Sequence, residues 1–134
     1  MQINVRKAAG APMRHIIQIR DHQVPTDVSA AEGGEDSGPD PHDLYDSALG
    51  ACKALTVLWY AKRKGMPLSD LEVTVSRDAS DERHGTYRLA TTLKLTGDLS
   101  EAQRNELLSV ASKCPVHKLM TAVTTEVSTS LAST

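Results

Sequence analysis

Two residues of this chain have the side-chain chemistry for redox work, Cys52 and Cys114, and there is no third cysteine. Their settings differ. Cys52 lies inside a long apolar run from Leu44 to Ala61, and Cys114 is followed by Pro115 at the start of a second, shorter run. If the fold brings them together the chain carries a redox dithiol. If it keeps them apart they are two small core residues, a common fate of free cysteine.

The local chemistry of the two is unequal. Pro115 suits the first position of a helix, so Cys114 stands next to free backbone N–H groups that favour an anion. His117 lies three residues further on, in position to approach it. Cys52 sits far beyond the first turn of its own helix, where the dipole no longer acts. Lys53 adjoins it, but consecutive helical residues point about 100° apart and do not face each other. A buried thiol without a cation is inert. A reactive Cys52 therefore needs a cation from elsewhere, and Arg14, Arg20 and Arg6 of the N-terminal segment are the candidates. The plain alternative for each is a solvated charge on a strand.

A metal site is the rival chemistry, with Cys114, His117, Cys52 and His42 as its possible ligands. Zinc sites prefer two close ligand pairs and only one pair exists here, so no metal or other cofactor is expected. His15 and His22 read as strand or surface residues. Gly33-Gly34 lacks the following G-x-x-G of a dinucleotide loop.

The elements that must position these residues follow from pattern. Ile3 to Ala8 and Met13 to Arg20 read as strands around a Gly10-Ala11-Pro12 turn. His22 to Val28 extends them, with Pro25 arguing against a central position. Ser29 to Asp40 is rich in Gly, Ser and acid and reads as a loop. A helix then starts with Asp40 as N-cap, Pro41 at the first position and Asp43 in the first turn. Leu44, Ala48, Ala51, Leu55 and Leu58 form one stripe, and Ala48, Cys52, Leu55 and Trp59 another. Asp46 and Lys53 are the only charges between Leu44 and Ala61. A helix apolar on most faces is expected to be buried centrally. Lys62, Arg63 and Lys64 suit its negative end and Gly65 its termination.

Leu71, Val73 and Val75, and then Tyr87, Leu89, Leu93 and Leu95, alternate with other residues as strands do. Asp81 to Gly85 would join them. Ser100 and Gln103 form a capping-box pattern. Leu107, Val110, Ala111 and Cys114 share one helix face, with Pro115 restarting the chain as a new helix. Thr124 to Leu131 alternates again and reads as a closing strand. Strands before and after helices, without strict alternation, indicate an α+β architecture.

The bulk numbers narrow the function. The chain has 134 residues, enough for one domain, and a net charge of −2 with acid and base mixed. No basic block points to nucleic acid, no signal peptide is evident, and no apolar stretch reaches the length of a membrane span. A reducing, cytoplasmic compartment is the expected location, where paired thiols are more often catalytic than structural. Hydrophobic residues make up 40% but aromatics only 3%, with no Phe. Such a core has few large anchors, which favours extra burial against a partner chain.

Two segments together resemble the OsmC/Ohr family: GGEDSGPDPHDLYDSALGACKALTVLWYAKRKG, from Gly33 to Gly65, and KCPVHKLM, from Lys113 to Met120. Both cysteine contexts agree, as does the order of the intervening elements. The resemblance implies one OsmC-like domain over residues 1–134, with antiparallel sheets packed on a long buried central helix. It also implies an intertwined homodimer with active sites at the subunit interface. The implied activity is thiol-dependent reduction of organic hydroperoxides, and to a lesser degree hydrogen peroxide. Carried over, Cys52 matches the peroxidatic cysteine and Cys114 the resolving one, with an external dithiol as reductant. Where the family commonly has Pro-Glu, this chain has Pro41-His42-Asp43, so Asp43 is the substitute for the Glu that orients an activating Arg. Arg14 is the best counterpart of that Arg and Arg20 the next. Leu55, Trp59 and His42 are the expected substrate pocket. The alternative is a non-enzymatic redox sensor, or a binder of small hydrophobic molecules in the same pocket.

Overall fold

The computed structural model describes residues 1–133. Contacts divide the chain into two compact units, Met1–Ser47 and the remainder from Ala48.

The first unit is built on a three-stranded antiparallel sheet, β1 (Ile3–Lys7), β2 (His15–Ile19) and β3 (His22–Thr26), paired in that order. Pro25 lies in β3, an edge strand, where its missing N–H costs no ladder bond on the open side. Arg20 turns the chain between β2 and β3 with φ of 52°. The following loop holds a single 3₁₀ turn, Ala30–Glu32, and is organised around the buried carboxylate of Asp27. That carboxylate accepts the N–H groups of Val28, Glu35 and Ser37 and the Ser37 hydroxyl. These bonds, led by the Ser37 hydroxyl, hold Asp27 far below the usual carboxylate range.

Helix α1 (Pro41–Arg63) runs through both units. Its start is a reciprocal cap. Asp40 Oδ1 accepts the Asp43 N–H at 2.8 Å, and Asp43 Oδ2 accepts the Asp40 N–H at 3.1 Å. It ends at Gly65, whose φ of +65° suits glycine.

In the second unit, β4 (Leu68–Asp78) and β5 (Arg88–Gly97) form an antiparallel hairpin in which Leu71 opposes Leu95 and Val73 opposes Leu93. The joining segment is a 3₁₀ turn, Glu82–His84. Helix α2 (Glu101–Ala111) begins with the capping box of Ser100 and Gln103 that the pattern predicts. Helix α3 (Pro115–Thr121) follows with Cys114 as N-cap. The core is Val57 and Ala61 of α1 against Leu107 and Ala111 of α2, covered by Leu68, Leu71, Leu93 and Leu95 of the hairpin. Arg104 ties α2 to β5 by donating to the carbonyls of Leu95 and Gly97, and the Tyr60 hydroxyl ties α1 to α2 through Glu106. The fold is α+β with antiparallel sheets, as the element order predicts.

Two expectations are corrected. The segment 124–131 is not a strand: it is exposed chain outside any helix or strand, with Val127 and Leu131 in solvent. Alternation alone does not make a strand, because backbone groups need a neighbouring ladder. Nor is α1 buried on most faces. Asp46, Leu49, Gly50, Lys53, Val57 and Ala61 form its buried face, while Leu55 and Trp59 stand 68% and 60% exposed on the opposite one. The apolar composition of the run is right, but one chain covers only one side of it.

Candidate functional site

The site lies where α1 passes the junction between α2 and α3. Pro115 cannot continue α2, so the chain turns at Cys114 (φ −64°, ψ 146°) and restarts as α3. The turn leaves the first N–H groups of α3 without helical acceptors. The two cysteines take them. Cys114 Sγ accepts the His117 N–H at 3.4 Å, and Cys52 Sγ accepts the Val116 N–H at 3.5 Å. The two sulfurs thus take the N–H groups of consecutive residues at one helix start, and both thiols are free. The pair left open by the sequence therefore meets.

Burial separates their properties. Cys114 is wholly buried and Cys52 half-buried. Burial pushes the Cys114 thiol up, and the neighbouring Cys52 pushes the same way. The His117 N–H and the Lys53 ammonium work against that rise. Cys114 is thus the sealed thiol, and Cys52 the one that solvent and small molecules can approach.

The residue that sequence reasoning missed is Lys53. It is 3% exposed, and its Nζ donates to the Ala111 carbonyl at 2.8 Å and meets His117 Nδ1 at 2.9 Å. The expectation that Lys53 points away from Cys52 neglected where each side chain arrives. Cys52 sits on the flank of the buried helix face and Lys53 at its centre, so the two straddle the head of α3 and touch consecutive residues, Val116 and His117. The available signal was a single basic residue inside an otherwise apolar run. The approach of His117 to Cys114 is likewise corrected: its backbone N–H reaches the sulfur, while its ring turns to Lys53.

The other expected residues are placed as follows. Leu55 lines an open apolar cleft with Ala54, Leu58, Leu68 and Leu71, which Cys52 does not line. Trp59, on the exposed face of α1, carries the Arg63 guanidinium over its ring at 5.1 Å. His42 and Asp43 are exposed in the first turn of α1, where Asp43 serves the cap. Arg14, Arg20 and Arg6 belong to the Met1–Ser47 unit, and the buried Nε of Arg14 has no hydrogen-bond partner among the described residues. Among the described residues no group of three His, Cys, Asp or Glu side chains is placed to hold a metal ion. No helix there is long and apolar enough to cross a membrane.

Comparison with known proteins gives the family. Residues 34–129 match the family model of OsmC-like proteins, a span that contains both cysteines. The chain belongs to the OsmC-like family. Solved structures share its fold at low identity. The OsmC-like protein of Mycoplasma pneumoniae is 18% identical, covers 92% of this chain and 89% of its own, and superposes with a TM-score of 0.71. The organic hydroperoxide resistance protein OsmC of Legionella pneumophila is 19% identical, with 91% and 90% covered and a TM-score of 0.63. The organic hydroperoxide resistance protein OhrB of Bacillus subtilis is 23% identical, with 91% and 92% covered and a TM-score of 0.58. No curated protein matches the chain. Within this family the chain is an α+β member whose two cysteines meet at the head of α3.

Proposed function

We propose that this OsmC-like chain is a thiol-dependent peroxidase that reduces organic hydroperoxides, and hydrogen peroxide less well. The observation that carries the reading is the pair of free thiols at one helix start, one approachable and one sealed. The Cys52 thiolate attacks a peroxide oxygen; an S–O bond forms, the O–O bond breaks, and the alkoxide leaves and takes a proton as an alcohol. Cys52 is now a sulfenic acid. The Cys114 sulfur attacks the Cys52 sulfur, the S–S bond forms, and hydroxide leaves to become water with the proton from Cys114. An external dithiol then reduces the disulfide and restores both thiols. The names of the Legionella and Bacillus relatives support this substrate class.

The remaining assignments belong to the same proposal. Residues 1–134 act as one OsmC-like domain in a reducing, cytoplasmic compartment, where a free dithiol persists. Arg14, oriented by Asp43, is the activating couple for Cys52. The exposed apolar face of α1, with Leu55 and Trp59, supports a homodimer in which a second chain covers it. That surface and the apolar cleft beside Leu55 also suit hydrophobic peroxides, and the family resemblance adds His42 to the residues that meet the substrate. A second reading, a non-enzymatic binder of small hydrophobic molecules, draws on the same cleft.

Turnover decides between them. With dihydrolipoamide as the dithiol, the protein should consume cumene hydroperoxide, and Cys52→Ser should abolish consumption. Equal slow rates in the two proteins would defeat the peroxidase reading.

A further inference from the structure

We infer that Lys53 is the charge partner of Cys114: its buried ammonium, held by the Ala111 carbonyl and the His117 ring, stabilises the Cys114 thiolate as that sulfur attacks Cys52. The inference deepens the dithiol reading above and rests on it.

A buried ammonium is costly unless its surroundings compensate it. The partners of Lys53 are a carbonyl oxygen and a ring nitrogen, both neutral acceptors for a charged Nζ. Part of the compensation comes from α2, whose negative end is at Ala111. A capping role alone does not require burial, since Lys113, exposed two residues beyond Ala111, stands at the same helix end. The His117 contact is what a simple cap leaves unexplained. With Lys53 charged, Nδ1 of His117 must be the acceptor, which places the ring proton on Nε2. His117 is then a positioning residue. Its backbone N–H holds the Cys114 sulfur and its ring holds the cation, so one residue contacts both groups.

The need for such a cation follows from the site. Cys114 is sealed from water, and closing the disulfide requires it to act as a thiolate. The groups that act on it are Cys52 and Lys53 from α1 and the His117 N–H from α3. Of these, Cys52 opposes ionisation. The His117 N–H and Lys53 favour it, and Lys53 alone brings a full charge.

The test uses Cys52→Ser protein, which leaves Cys114 as the only thiol, and follows its ultraviolet thiolate absorbance against pH. Lys53→Met keeps the length and removes the charge, and should raise the midpoint by about one pH unit, the low end for losing a close opposite charge. Lys53→Arg should restore most of that shift. His117→Ala, which frees the lysine, should shift the midpoint the same way by less. In protein with both cysteines, closure of the disulfide after one equivalent of peroxide should slow in Lys53→Met by about three- to fourfold. That figure combines a tenfold loss of thiolate with the greater nucleophilicity of a more basic sulfur. The titration needs no peroxide, so it tests Lys53 even if turnover defeats the peroxidase reading. An unchanged midpoint in folded Lys53→Met protein overturns the inference. If that variant does not fold, an unchanged midpoint in His117→Ala does so.

Discussion

Gly50 sets how closely α1 lies on the β4–β5 hairpin, and replacing it tests the packing that places Cys52. A Cβ added at Gly50 would stand 2.8 Å from Val75 Cγ2, and 4.0 Å from Val73 Cγ1. The first distance is too short and the second is ordinary contact. Gly50→Ala should gain up to about 1 kcal/mol of helix propensity. Overpacking against Val75 should cost about 1–3 kcal/mol. Crowding wins or balances, so the net effect is a loss of roughly 0–3 kcal/mol. Val75→Ala alone should cost about 1–2 kcal/mol for two half-buried methyl groups. In the double variant the crowding disappears and the helix gain returns. The two changes should then couple favourably by about 1–3 kcal/mol, the crowding relieved, since they touch the same contact. Urea unfolding followed by Trp59 fluorescence and circular dichroism, at fixed protein concentration, measures all four corners of the cycle. Gly50→Ala protein more stable than the parent by the full propensity gain would refute the argument. So would additivity within about 0.5 kcal/mol. Because Gly50 is two residues before Cys52, Gly50→Ala should also slow disulfide closure, and Val75→Ala should restore it.

Further outcomes follow from other parts of the structure. Leu107, wholly buried between α1 and the hairpin, should lose about 2–5 kcal/mol on substitution by alanine, read from urea midpoints. Asp27→Asn should destabilise the loop of the first unit at neutral pH. Because the native carboxyl lies below the ordinary aspartate value of 3.8, the stability it contributes is fully present above that value. It fades as pH falls through the lower native value, so the gap between parent and variant should close in acid. A gap that stays constant from neutral pH into acid would contradict the hydrogen-bonded role of Asp27.

Much of the frame was legible in the residues. The Ser100–Gln103 box, the Asp40-Pro41 start of α1, the Gly65 stop and the alternation of β4 and β5 are local signals, and each corresponds to a local structure. Pro25 marked an edge strand for the same reason. The segment 124–131 shows the limit of such signals. Its alternation satisfies the strand pattern, but a strand also needs a partner ladder, which no local pattern supplies.

The sequence by itself determined that α1 would be apolar, that Pro115 would break the chain after Cys114, and that only two thiols were available. It also carried the family resemblance through the settings of those thiols. Only the tertiary structure decided that they meet. Cys52 gains no help from its own helix, because it lies too far from that helix's first turn. It gains the Val116 N–H from another helix start, sixty-four residues along the chain. Lys53, one position from Cys52, arrives at His117 for the same reason. Adjacent helical residues diverge by about 100°, and only the packing of a second and third helix against α1 determines what each side chain reaches.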